Sequence, residues 1–215
     1  MREQLAHVLW LGGSPCAGKS SIADGLAARQ GLTVYRCDDA FHHHKERIDP
    51  RAQPVFARLA RATCDEIWLR PTAQQIREEI ALYREEFPQI LADLAAMPRD
   101  RPILAEGAAL LPELVGGLGV PPHRAIWVVP TEPFQRACYG ERAWRHEVLA
   151  ECSDKAQAWE RWMRRDAGFA REVARQAGGM GYRLVTVDGA WSVEDQILAV
   201  EAHFRGLSHQ PGRDD

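Results

Sequence analysis

The chain has 215 residues, with 46% hydrophobic residues, 27% charged residues and a net charge of −3. That length supports one domain with a sizeable core and an insert, and that charge leaves no basic footprint for nucleic acid. No apolar run approaches the roughly 18 residues that span a bilayer, the opening Met-Arg-Glu-Gln shows no signal-peptide pattern, and five scattered cysteines without a C-x-x-C pair predict reduced thiols in a cytoplasmic protein.

The first apolar run, His7-Val8-Leu9-Trp10-Leu11, predicts a strand over 6–11. Residues 13–20 then read Gly-Ser-Pro-Cys-Ala-Gly-Lys-Ser, a full G-x-x-x-x-G-K-[ST] loop, and 20–27 predict a helix. In that setting, glycines let consecutive backbone N–H groups curl around phosphate oxygens, and the helix points its positive end at them. Gly13, Ser14, Pro15, Cys16, Ala17, Gly18, Lys19, Ser20 and Ser21 are therefore the candidate nucleotide-binding residues. Lys19 is expected to reach the β- and γ-phosphates and Ser20 to ligate Mg²⁺. The chain contains no asparagine, which removes the guanine-reading N-K-x-D signature and favours ATP. Cys16, inside the loop, is a candidate redox-sensitive thiol.

A second strand over 32–37 runs into Asp38-Asp39-Ala40-Phe41. Phosphoryl transfer to an alcohol needs a group that orients the hydroxyl and accepts its proton. One of Asp38 and Asp39 is expected to take that role and the other to reach Mg²⁺, directly or through water. Three consecutive histidines, His42-His43-His44, cannot all face one ion from a regular element, so the run is read as surface. Residues 42–98 are expected to form a helical insert over the carboxyl edge of the sheet, where α/β proteins bind ligands. It holds a short helix over 52–68 and a longer one opened by a Thr72/Gln75 capping box. The apolar positions of the long helix are Ile76, Ile80, Tyr83, Phe87, Ile90, Leu94 and Met97, with a kink expected at Pro88. Arg51, Arg58, Arg61 and Arg84 are candidates for holding an anionic substrate.

The third strand, 102–106, closes on Glu106, a candidate for holding Mg²⁺ or its waters. A fourth follows over 124–129, and Thr131 before Glu132-Pro133 predicts a helix start. Residues 136–175 carry eight arginines. On a helical wheel over 154–177, Arg161, Arg164, Arg165, Arg171 and Arg175 share one face and Trp159, Trp162, Met163, Phe169 and Val173 the other. Asp166 falls among the apolar residues. Arg142, Arg164 and Arg165 are the candidates for a lid over about 139–166 that closes on a triphosphate; Arg171 and Arg175 are read as solvated. The fifth strand, 182–187, leads to Asp188-Gly189, a candidate base-reading turn, and then to a Ser192/Asp195 capping box. Residues 206–215 are expected to be a frayed tail. The seven tryptophans are assigned to packing.

These segments resemble the P-loop small-molecule and nucleoside kinases over roughly residues 6–205. Asp39-Ala40-Phe41 is similar to the D-x-F segment of uridine-kinase-like enzymes, where the Asp serves the acceptor hydroxyl. Glu106-Gly107 resembles their E-G segment, and Arg161-Trp162-Met163-Arg164-Arg165-Asp166 their arginine lid. Val187-Asp188-Gly189 resembles the base-reading loop of adenylate-kinase-like proteins, and the chloramphenicol phosphotransferase and shikimate kinase families share the layout. The resemblance implies an α/β three-layer sandwich of the P-loop NTPase class, with a five-stranded mainly parallel sheet, helical insert and arginine lid. It implies one kinase domain over 1–205, using ATP and Mg²⁺, as a monomer or homodimer. The G-[FY]-P-R segment of nucleoside monophosphate kinases is absent, and Phe87-Pro88-Gln89 is a faint echo of it. Two aspartates would repel a phosphorylated acceptor. The expected acceptor is therefore a hydroxyl on a nucleoside, sugar or antibiotic-like molecule. A nucleoside monophosphate kinase, an ATPase switch acting through a protein partner and a zeta-toxin-like kinase of a cell-wall sugar nucleotide are the alternatives.

Overall fold

A computed structural model describes residues 5–206. The apolar runs become β1 (Val8–Gly13), β2 (Thr33–Arg36), β3 (Ile103–Gly107), β4 (Ala125–Pro130) and β5 (Arg183–Val187). They form one sheet in the order β2-β3-β1-β4-β5, every pair parallel. Parallel neighbours require crossovers, and helices supply them. In chain order these are α1 (Lys19–Gln30), α2 (Cys37–Glu46), α3 (Pro54–Leu59), α4 (Cys64–Trp68), α5 (Thr72–Ala96), α6 (Pro112–Gly117), α7 (Glu132–Gly140), α8 (Arg145–Val148), α9 (Lys155–Gly179) and α10 (Val193–Phe204).

Alternating side chains on the strands divide the core in two. Leu11, Leu104, Ile126 and Val128 face α1 and α10, meeting Ile22, Leu26, Ile197 and Val200. Trp10, Ile103, Ala105 and Trp127 face the other way, onto Ile90 and Leu94 of α5, Val115 of α6 and Phe169 and Val173 of α9. A sheet buried on both faces explains why its strands read as unbroken apolar runs. The expected α/β class with a mainly parallel sheet is met by a fully parallel one among the described residues.

Several local expectations change. The helix expected over 52–68 is two, α3 and α4, and a Thr63/Glu66 capping box starts the second. The Thr72/Gln75 box does not form: Pro71 is the N-cap of α5, and the Gln75 amide donates instead to the carbonyls of Trp68 and Arg70. α5 runs through Pro88 as one helix. Burial of Ile80, Phe87, Ile90 and Leu94 offsets the roughly 3 kcal/mol that an interior proline costs. The Ser192/Asp195 box caps α10 as expected. Past Gly206, the expected tail lies outside the described residues, as does the opening Met-Arg-Glu-Gln. Among the described residues no helix is long and apolar enough to cross a membrane.

Candidate functional site

β1 ends in the glycine-rich loop, and the loop conformation depends on its glycines. Gly13 has φ 138°, and a Cβ there would lie 1.9 Å from the Val128 carbonyl oxygen of β4. Gly18 caps α1 at φ 78°, a left-handed conformation that side chains disfavour. The Ser14 amide donates to Val128 O at 3.2 Å, and Lys19 Nζ donates across the loop to Ser14 O at 2.8 Å. A cavity of about 460 Å³ opens above, lined by Pro15, Cys16, Ala17, Gly18, Lys19, Ser20 and Ser21. Gly13 and Ser14 lie behind it, buried at the end of β1. Burial pulls the Lys19 ammonium below its ordinary range, against the raising fields of Glu106 and Asp38. Burial pushes the Cys16 thiol up to about 11, so it is protonated and unreactive at neutral pH.

Glu106 closes β3 between Leu11 of β1 and Arg36 of β2. Its Oε1 accepts from Ser20 Oγ at 3.1 Å and from the Arg36 guanidinium at 3.1 Å. Burial raises its carboxyl above the usual range, with Lys19, Ser20 and Arg36 acting against that. The next residue, Gly107, has φ 154°, and a Cβ there would meet Cys37 Cβ at 2.5 Å, so α2 can begin immediately against β3. α2 follows β2 without a loop, and the phase of that helix separates the two aspartates. Asp38 lines the cavity over Lys19; Asp39, one residue on, lines neither that cavity nor the one beside it.

The neighbouring cavity measures about 430 Å³ and lies among α2, α3, α4 and α5. Its wall is largely apolar, with Phe41 stacked on Phe56 at 5.0 Å and Trp68, Leu59 and Leu82 nearby. Asp38, Glu79, Tyr83 and Arg165 line both cavities, so the two meet there. Glu79 and Glu86 are buried yet were not among the expected site residues. A signal existed: they lie seven residues apart along the apolar stripe of α5, flanking Ile80, Tyr83 and Phe87. Arg58 pairs with Glu78 at 2.7 Å and Arg84 with Glu113 at 2.6 Å, so these candidate anion holders face carboxylates of the chain itself.

In the arginine-rich segment the structure separates the three candidates. Arg165 lies 2.6 Å from Glu79 and 2.6 Å from Asp166, with its guanidinium 4.9 Å from the Trp68 ring centre. Arg142 lines the cavity over the glycine-rich loop and lies over the rings of Tyr139 and Trp144. Arg164 is exposed and lines neither cavity. Asp166, the acid among apolar residues, is fully buried. It accepts from Tyr139 Oη at 2.8 Å and Trp162 Nε1 at 3.1 Å. Burial pushes Glu79 up to about 7, with the Arg165 charge opposing. Glu79 also accepts from Tyr83 Oη at 3.1 Å, and burial raises both carboxyls that share the one guanidinium, so the pair titrates together.

Two further expectations are corrected. Cys64 and Cys152 are not free thiols but a disulfide, with Cα atoms 5.0 Å apart across 88 residues of sequence. α4 and the turn before α9 bring them together, and sequence spacing carries no trace of so distant a pairing. His44 is not surface: it is fully buried, with Nδ1 2.8 Å from Glu86 Oε1 and Nε2 2.8 Å from Asp93 Oδ2. Burial opposes its protonation, but the two carboxylates outweigh burial and raise it above the ordinary value. Asp188 is exposed and outside both cavities, and its Oδ1 accepts from the Ala190 amide at 2.9 Å in a tight turn. No family model and no curated protein matches the chain.

Proposed function

We propose that this chain transfers the terminal phosphoryl group of a nucleoside triphosphate, ATP by preference, to a hydroxyl of a small molecule. The observation that carries this is the pair of adjoining cavities. One is walled by a complete phosphate-binding loop, the other is apolar, and both open onto Asp38, Glu79, Tyr83 and Arg165. The parallel sheet, with the loop between its central strand and α1, supports a P-loop arrangement. Phosphate held at the carboxyl ends of parallel strands is where such sheets bind ligands. On this reading 42–98 is the acceptor-binding insert and 139–166 the lid.

The loop amides and the N-terminus of α1 hold the triphosphate, and Lys19 leaves Ser14 O to contact its outer phosphates. The hydrogen-bonded pair Ser20–Glu106 supplies hard oxygen donors beside Lys19. Few protein oxygens, with substrate phosphates completing the shell, is a donor set that fits Mg²⁺. When bound, the metal neutralises charge on the transferring group. Asp38 takes the hydroxyl role that the sequence assigned to Asp39, because Asp38 lines both cavities. It orients the acceptor hydroxyl and accepts its proton as the oxygen–phosphorus bond forms and the bond to the diphosphate breaks. Arg142, which lines the cavity over the loop, offsets charge on the transferring group, while Arg165 is held between Glu79 and Asp166 on the wall the cavities share.

ATP consumption with Mg²⁺ against pooled neutral, cationic and phosphorylated acceptors tests this, with Asp38→Asn as control. A pool that raises turnover in the parent and not in the control supports the reading. Tight ATP binding with turnover unmoved by every pool refutes it and favours a switch acting through a protein.

A further inference from the structure

The proposed phosphoryl transfer uses the residues that the two cavities share; the wall of the apolar cavity carries a further buried carboxylate with nothing to do in that chemistry. Glu86 is 1% exposed and lines the cavity. Its Oε1 pairs with His44, while its buried Oε2 has no hydrogen-bond partner among the described residues. A buried carboxylate oxygen left without a donor is costly, so a cavity wall that carries one suits a ligand that brings the donor. The guanidiniums on the same wall are already spent. Arg70 pairs with Glu78, and Arg165 with Glu79 and Asp166. Lys45 is exposed at the outer edge. Nothing basic remains inside for a phosphate or carboxylate, whereas the Phe41–Phe56 stack and Trp68 suit an apolar body and a nearby cation.

On the reading that this cavity holds the phosphoryl acceptor, we propose that the acceptor is an apolar amino alcohol. Its hydroxyl faces Asp38, its apolar body lies among Phe41, Phe56 and Trp68, and its ammonium donates to Glu86 Oε2. Glu86 is then the residue that selects the substrate. Nucleotides, sugar phosphates and hydroxy acids are excluded by the same wall.

Calorimetry on the full chain without nucleotide tests this with three probes: phenylalaninol, hydrocinnamyl alcohol, which lacks only the amine, and phenyl phosphate. Phenylalaninol is expected to bind about tenfold or more tighter than either of the others, the worth of a hydrogen bond to a charged group. Glu86→Gln is expected to erase that difference while leaving hydrocinnamyl alcohol unchanged. Ala60→Trp, at the half-buried rim, is expected to block both alcohols. Equal binding of the two alcohols, tighter binding of phenyl phosphate, or no binding of phenylalaninol overturns the proposal. The comparison of probes on the parent protein decides even if Glu86→Gln does not fold. A separate ATP titration keeps the two readings apart: phenylalaninol binding without ATP binding leaves the cavity's ligand class standing and removes phosphoryl transfer.

Discussion

Arg165 lies 2.6 Å from Glu79 on the wall that the two cavities share, while Arg164, its neighbour in sequence, is exposed. Arg165→Ala would leave Glu79 and Asp166 buried without their common cation. It is expected to lower stability by about 3–5 kcal/mol, the usual penalty for breaking a buried pair. Arg164→Ala is expected to stay within about 0.5 kcal/mol. Urea unfolding of the two variants measures the contrast; equal losses would show that the Arg165 cluster carries no special weight.

The two aspartates at the start of α2 divide similarly. Asp38→Asn is expected to slow transfer about 10²- to 10⁴-fold while ATP binding stays near normal, as for a lost proton acceptor. Asp39→Asn is expected to retain most of the turnover. Steady-state rates on an active acceptor decide it, and the reverse ranking would return the role to Asp39.

Lys19→Ala removes the one ammonium of the glycine-rich loop. Activity is expected to fall by more than about tenfold, corresponding to 1.4 kcal/mol or more of lost charge stabilisation. An unchanged rate would mean that the loop holds no phosphate during the reaction.

His44 makes stability depend on pH. Both ring nitrogens lie 2.8 Å from carboxylates, and its folded-state value is raised above the ordinary 6.5. Its stabilisation is full below pH 6.5, the unfolded value, and is lost as pH climbs through the higher folded value. Glu86, raised chiefly by burial, acts in the same direction at lower pH. Urea midpoints are therefore expected to fall as pH rises from about 6 to about 9. The fall attributable to His44 should vanish in His44→Gln.

Breaking Cys64–Cys152 releases a cross-link spanning 88 residues. Cys64→Ser with Cys152→Ser is expected to cost about 2–5 kcal/mol, chiefly through the unfolded chain. Thermal unfolding with and without a thiol reductant on the parent protein provides the matching measurement.

The strands and the loop were legible because their signals are local. A buried parallel strand must be apolar throughout, and a left-handed backbone at residues 13 and 18 calls for glycine. Asp166 was visible as an anomaly, an acid among apolar neighbours, and the hydrogen bonds from Tyr139 and Trp162 account for it. The choice between Asp38 and Asp39 was not legible, since it depends on α2 beginning at Cys37 with no intervening turn. His44 hid among histidines because its partners lie on α5, more than forty residues away. Glu79 and Glu86 were overlooked because charged residues on a long helix ordinarily face solvent.

The disulfide also bears on access to the two cavities. α4 contributes Ile67 and Trp68 to the apolar cavity, while the aromatic cluster beside Arg142 is built on α7 and α9. Cys64 and Cys152 bolt these two coverings together, so neither can swing aside alone. On the proposed function, entry of the acceptor and departure of the nucleotide would share one articulation, and an oxidised molecule would open both doors or neither.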